Sequence, residues 1–100
     1  MSPFFFMLEK QIEKKVCDYA KKNGFLCFKF LSPQNRGVPD RVFIKDGDIF
    51  FIEFKREGGL LSKQQIMRLN ELRNNKMDCY VVYNVDEGKE VIDARQNKFA

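Results

Sequence analysis

At 100 residues the chain is sized for one domain with a single modest core, expected to span residues 1–100. It contains no histidine, which excludes a histidine general base, the Ser-His-Asp arrangement and His-ligated zinc. Carboxylates and lysine must carry any hydrolytic chemistry, and the net charge of +4 suits a polyanionic partner.

The three cysteines, Cys17, Cys27 and Cys79, are scattered, with no C-x-x-C spacing. They read as reduced thiols in or near the core of a cytoplasmic protein. No apolar run reaches the length of a membrane span. The opening Met1-Ser2-Pro3-Phe4-Phe5-Phe6-Met7 lacks the basic n-region and small-residue cleavage site of a signal peptide. The expected location is cytoplasmic, with no membrane partner.

In chain order, the pattern from Leu8 to Asn23 is helical. Leu8, Ile12, Val16, Tyr19 and Ala20 form one stripe, and Gly24 is the expected C′ residue. Glu9 lies at the flank of that stripe, where an acid also favours the first turn of a helix. Lys10, Lys14 and Lys21 form a basic stripe beside Lys15 and Lys22, either a solvated face or a track for a phosphate backbone. The run from Phe25 to Leu31 predicts a short apolar strand interrupted by Lys29, which either snorkels at an edge or faces a polar site. A loop follows through Ser32-Pro33-Gln34-Asn35-Arg36-Gly37, and Pro39 restricts Val38 to an extended conformation.

The stretch from Arg36 to Lys55 predicts a β-hairpin. Apolar runs from Val42 to Ile44 and from Ile49 to Phe54 flank Asp46-Gly47, a dipeptide suited to a two-residue type I′ turn. That turn pairs Lys45 with Asp48 and sets Asp40 opposite Glu53, with Lys55 on the same face. Two facing carboxylates repel, and in a dry site the repulsion raises a pKa unless a cation neutralises the pair. A hard divalent cation on oxygen ligands is the simplest compensation.

Beyond the hairpin, Arg56-Glu57-Gly58-Gly59 is a break and Ser62 starts a helix to about Asn75, with Ile66, Leu69 and Leu72 facing inward. Ser62 and Gln65 have capping-box spacing. The run from Cys79 to Tyr83 predicts a strand. Asp86 then reads as the N-cap of a weaker helix from Glu87 to Asn97, anchored by Val91 and Ile92 and disfavoured by Gly88. The order is α-β-β-β-α-β, then a final α: an α/β domain with a mixed β-sheet flanked by helices.

Glu9, the run Gly37-Val38-Pro39-Asp40-Arg41, the run Ile52-Glu53-Phe54-Lys55, and Leu61-Ser62-x-x-Gln65 together resemble the VRR-NUC domain, a branch of the PD-(D/E)XK nuclease superfamily. The resemblance covers about residues 8 to 85. It implies a restriction-endonuclease-like core and metal-dependent hydrolysis of DNA phosphodiesters, with Glu9, Asp40, Glu53, Lys55 and Gln65 as catalytic residues. Asp40, Glu53 and the main-chain carbonyl of Phe54 would bind Mg²⁺ or Mn²⁺, with Glu9 binding through water or holding a second ion. Lys55 would orient the attacking water. Lys10, Lys14, Lys29, Arg36, Arg41 and Ser62 are the candidate DNA contacts. Similarity to junction-cleaving single-chain members implies branched DNA, such as a four-way (Holliday) junction, as the partner of a homodimer. Phe4, Phe5, Phe6 and Met7 are candidates for its interface. Two alternatives from other classes are a non-cleaving nucleic-acid-binding module of the same fold and a protein-interaction domain with an ordinary charged hairpin.

Overall fold

Helix α1 (Glu9–Lys22) begins where the Gln11 side chain accepts a hydrogen bond from the Leu8 backbone N–H at 3.0 Å. It ends in Schellman geometry, with Gly24 at φ +87° as expected and the Phe25 N–H donating to the Ala20 carbonyl. Ile12, Val16, Cys17 and Ala20 are its buried stripe, with Tyr19 packed at the margin. Leu8 is exposed, not part of that stripe, because its extended backbone takes its side chain out of helical phase.

The computed structural model describes residues 7–98. After α1 come β1 (Leu26–Lys29), β2 (Arg41–Lys45), β3 (Asp48–Phe54), α2 (Lys63–Asn74), β4 (Asp78–Val82) and α3 (Val85–Asn97). The strands form one mixed sheet in the order β1-β2-β3-β4, antiparallel across the first three and parallel between β3 and β4. The expected order of elements and α/β architecture are both present. Strand β1 is shorter than the apolar run suggested because it is an edge strand: Leu26 and Phe28 are exposed and Leu31 lies beyond it. The third helix starts earlier than expected, with Asn84 rather than Asp86 as the cap; the Asn84 side chain accepts from the Glu87 N–H at 2.8 Å.

Two cores sandwich the sheet. On one face, Ile12, Val16 and Ala20 of α1 and Ile92 of α3 pack over Phe43, Phe50, Ile52, Phe54 and Val82. On the other, Leu69 of α2 covers Phe51 and Cys79, with Leu72 and Val81 at the margin. Ile66, expected inward, is exposed on the flank of α2. Gly88 reads as a helix weakener in isolation, but a Cβ there would lie 2.3 Å from Val16 Cγ2. The glycine lets α1 and α3 approach. Met7 packs against the first core of its own chain, whereas Phe4, Phe5 and Phe6 lie outside the described residues. Among the described residues no helix is long and apolar enough to cross a membrane.

Candidate active site

The hairpin fixes the site. Asp46 and Gly47 both have positive φ, 51° and 82°, the two left-handed residues a type I′ turn requires. The register follows from that turn: Lys45 pairs with Asp48 and Arg41 with Ile52. One step further, Asp40 falls opposite Glu53. At this end the sheet divides, because β3 continues along β4 to the Phe54–Val82 pair after its pairing with β2 has stopped. The Asp40 side chain takes over from the ladder: its Oδ2 accepts the Phe54 N–H at 2.8 Å. Buried Pro39 precedes it and brings no donor of its own.

Glu53 is 3% exposed and faces α2. Its Oε2 accepts from Gln65 Nε2 at 3.0 Å, while its Oε1 is buried with no hydrogen-bond partner. Gln65 reconciles the two roles considered for it. Its Oε1 accepts the Ser62 N–H at 2.9 Å, the Ser62 hydroxyl accepts the Gln65 N–H at 3.1 Å, and its Nε2 still reaches the carboxylate. The capping box holds the glutamine in place. The first turn of α2, with its partial positive charge, is thereby turned toward the acids.

Burial pushes the Glu53 carboxyl up to about 8, and the Asp40 charge adds to it against the opposing pull of Lys55. Asp40 is also raised: burial and the charges of Glu13 and Glu9 outweigh the Phe54 N–H and Lys55. Two acids that resist ionisation, one with an orphaned oxygen, fit a cation on oxygen ligands. Asp40, Glu53 and the Phe54 main chain lie together as the sequence suggested. Glu9 is exposed on the first turn of α1 and acts on both through its charge. Among the described residues no cluster of three acids or cysteines converges. Two carboxylates would therefore rely on main-chain and water oxygens to complete a coordination shell.

Gly37 explains the unusual run before Asp40. It adopts φ +93°, and a Cβ there would lie 2.5 Å from the Gln64 carbonyl carbon and 2.7 Å from the Gln65 backbone nitrogen. The loop bearing Asp40 thus rests on the helix turn that bears Gln65. Gly37→Ala is expected to destabilise the protein by about 1–3 kcal/mol through left-handed strain and backbone overlap. A shift in melting temperature below 1 °C would sink this account of the loop.

The candidate DNA contacts divide between places. Lys10, Lys14, Lys29 and Arg41 line one groove of about 410 Å³ on the α1 face, together with Lys21, Glu13 and Asp18. Lys29 is paired with Arg41 across β1–β2, so it faces this polar groove rather than merely snorkelling at the edge. Arg41 is committed there to Glu13, Nε to Oε2 at 2.6 Å, on the opposite face of the sheet from Asp40. Alternation along the strand explains this, since successive side chains point to opposite faces. Lys14 is ion-paired with Asp18 at 2.8 Å. Arg36 stands apart on the loop over α2, where its carbonyl accepts from Arg68 Nε at 3.0 Å. The sequence reading missed Glu13; its place one helical turn after Glu9 was the available signal.

No protein-family model matches the sequence. Over 51 residues the chain is 45% identical to "Putative nuclease p44" of Acyrthosiphon pisum secondary endosymbiont phage 1. That match covers 50% of this chain and 55% of the phage protein, so the chain spans about half the length of the curated relative it matches. A solved structure of a "VRR_NUC domain" superposes with a TM-score of 0.79, covering 85% of this chain and 94% of that one at 22% identity. The chain has the fold of a VRR_NUC domain.

Proposed function

We propose that this domain is a Mg²⁺- or Mn²⁺-dependent DNA endonuclease of the PD-(D/E)XK type, centred on Asp40, Glu53 and Lys55. The observation that carries the reading is the unpartnered Oε1 of Glu53, buried beside a second carboxylate. A buried carboxylate oxygen without a partner is costly, and a divalent cation would remove that cost. The fold and the name of the phage relative support the same reading.

The chain's residues divide the work. Asp40 Oδ1, Glu53 Oε1 and the Phe54 carbonyl would hold the cation, while Gln65 fixes the orientation of Glu53 and Phe54 N–H that of Asp40. The bound ion would lower the pKa of water and offset charge developing on the phosphoryl group. Lys55, on the face of both acids, orients the attacking water and stabilises negative charge on the phosphoryl oxygens. The groove residues Lys10, Lys14, Lys21 and Lys29 engage the phosphate backbone, and Arg36 approaches DNA from the α2 side.

The preferred substrate is branched DNA, four-way junctions above all, cut by a homodimer. One chain offers one pair of acids, and resolving a junction takes two nicks on opposed strands, which a two-fold pair of sites supplies. The test is purified protein on linear, flap and four-way-junction DNA, in Mg²⁺, Mn²⁺ or EDTA. Paired nicks on the junction with metal, and none in EDTA, are expected. Cleavage undiminished by EDTA overturns the metal site. A strict monomer by light scattering, or equal cutting of plain duplex, removes the junction claim and leaves the nuclease standing. Binding without metal should weaken as salt rises, by about one logarithmic unit of affinity per logarithmic unit of salt for each phosphate contact. Salt-insensitive binding would remove the lysine groove from the interface.

A further inference from the structure

Cys17 on α1 and Cys27 on β1 are free, buried thiols whose Sγ atoms lie 3.1 Å apart. The proposed cleavage chemistry uses neither. Cys79 lies across the sheet, in the core beneath α2. Cys17 forms part of the lining of the basic groove, beside Lys10, Lys21, Lys29 and Arg41. Cationic groups around a thiol favour the thiolate, which is the nucleophilic form. The hydrogen bond with Cys17, and then Arg41 and Lys21, hold the Cys27 thiol below its ordinary range against the effect of burial. Cys17 is pushed up, first by that same hydrogen bond. The hydrogen-bonded pair therefore stands at the groove wall, with Cys17 in the lining and Cys27 in contact with it.

We propose that Cys17 and Cys27 form a thiol-oxidation site that takes hydrogen peroxide and closes to an internal disulfide. The Cys27 thiolate attacks one peroxide oxygen, forming an S–O bond and breaking the O–O bond; the departing hydroxide takes a proton and leaves as water. The Cys17 sulfur then attacks the Cys27 sulfenic acid. An S–S bond forms, the S–O bond breaks, and the hydroxyl leaves as a second water with the Cys17 proton. Two thiols are oxidised and one peroxide is reduced to two waters. The sulfurs need to close by about 1 Å to reach a disulfide bond length near 2 Å. The bond would tether α1, which carries Glu9 and Glu13, to the edge strand, and thiol reductants would release it. This inference stands apart from the nuclease reading, since it concerns sulfurs on the opposite face of the sheet from Glu53.

The experiment treats the folded, full-length protein with hydrogen peroxide, alkylates the remaining thiols and maps peptides by mass spectrometry. The expected result is loss of two hydrogens from the intact mass, a peptide joining Cys17 to Cys27, and Cys79 recovered as the alkylated thiol. Dithiothreitol should restore all three thiols. In Cys17→Ser the crosslink should vanish and Cys27 should be trapped by a sulfenic-acid reagent. Mapping of the unmodified sequence decides the matter even where that variant fails to fold. Oxidation first at Cys79, a crosslink involving Cys79 or a second chain, or three alkylatable thiols at peroxide doses that oxidise free cysteine would each overturn the proposal.

Discussion

Glu53→Gln is expected to reduce Mg²⁺-dependent cleavage by about 10³-fold or more while making the metal-free protein more stable. The two effects have one cause. In the wild-type protein Asp40 and Glu53 are set facing each other by the hairpin register, and both carboxyls are held above their ordinary range. An amide removes the repulsion and still fills the space beside Gln65, so folding gains. It also removes a charged ligand, and loss of several kcal/mol of transition-state stabilisation corresponds to about a thousandfold or more in rate. Asp40→Asn and Lys55→Ala should lose cleavage similarly, while DNA binding survives in all three. A Glu53→Gln protein that cuts at the wild-type rate in Mg²⁺ would falsify the assignment of the site.

The same residue sets the pH dependence of the metal-free fold. Glu53 titrates near its ordinary 4.5 when unfolded and at about 8 when folded, so the folded state binds its proton more tightly across that interval. Stability from this group is fully present below the lower value and is lost as pH rises through the upper one. The expected loss is on the order of 2 kcal/mol after allowance for solvent screening. Thermal melts from about pH 5 to about 8 should show the decline in wild type and a flatter profile in Glu53→Gln. Mg²⁺ should flatten the wild-type profile as well, because a bound cation displaces the proton. A wild-type decline that Mg²⁺ leaves untouched would show that the proton and the metal do not compete for Glu53.

The site was legible in the sequence to the extent that it is built from local rules. Asp46-Gly47 dictates a two-residue turn, the turn dictates the register, and the register places Asp40 against Glu53 with Lys55 on the same face. Capping-box spacing likewise placed Ser62 and Gln65 at the start of α2. What the sequence withheld depends on packing between distant elements. Nothing local says that Gly37 must rest on the backbone at Gln64, that Gly88 must admit Val16, or that Arg41 turns from the acids toward Glu13. Ile66 misled for a related reason, and the exposed Leu26 and Phe28 of β1 show the same effect. Apolar residues mark a face that favours burial, but an edge strand and a helix flank leave some of that face uncovered.

Arg95→Ala is expected to cost about 3–5 kcal/mol of stability, the largest effect of any single substitution considered. On sequence alone Arg95 is one more cation in the last helix. In the fold it is 8% exposed and inserted between the start of β3 and the start of β4. Its Nε donates to Asp48 Oδ2 at 2.8 Å, its Nη2 to Asp48 Oδ1, and its Nη1 to Asp78 Oδ2 at 2.6 Å. The guanidinium also lies 4.9 Å from the centre of the Phe50 ring. Burial opposes the ionisation of Asp48, but hydrogen bonding and charge from Arg95 outweigh it and hold the carboxyl below its usual range. Truncating the arginine leaves Asp48 buried, with Lys98 at 3.4 Å as a more distant and more exposed cation. An unpaired buried charge costs more than the intact pair contributes. The double variant Asp48→Leu with Arg95→Met should therefore recover most of the loss, since neither charge is then stranded. Urea midpoints for wild type, Arg95→Ala and the double variant separate the terms. A loss below 1 kcal/mol in Arg95→Ala, or a double variant weaker than the single one, would mean the cluster does not hold α3 to the sheet.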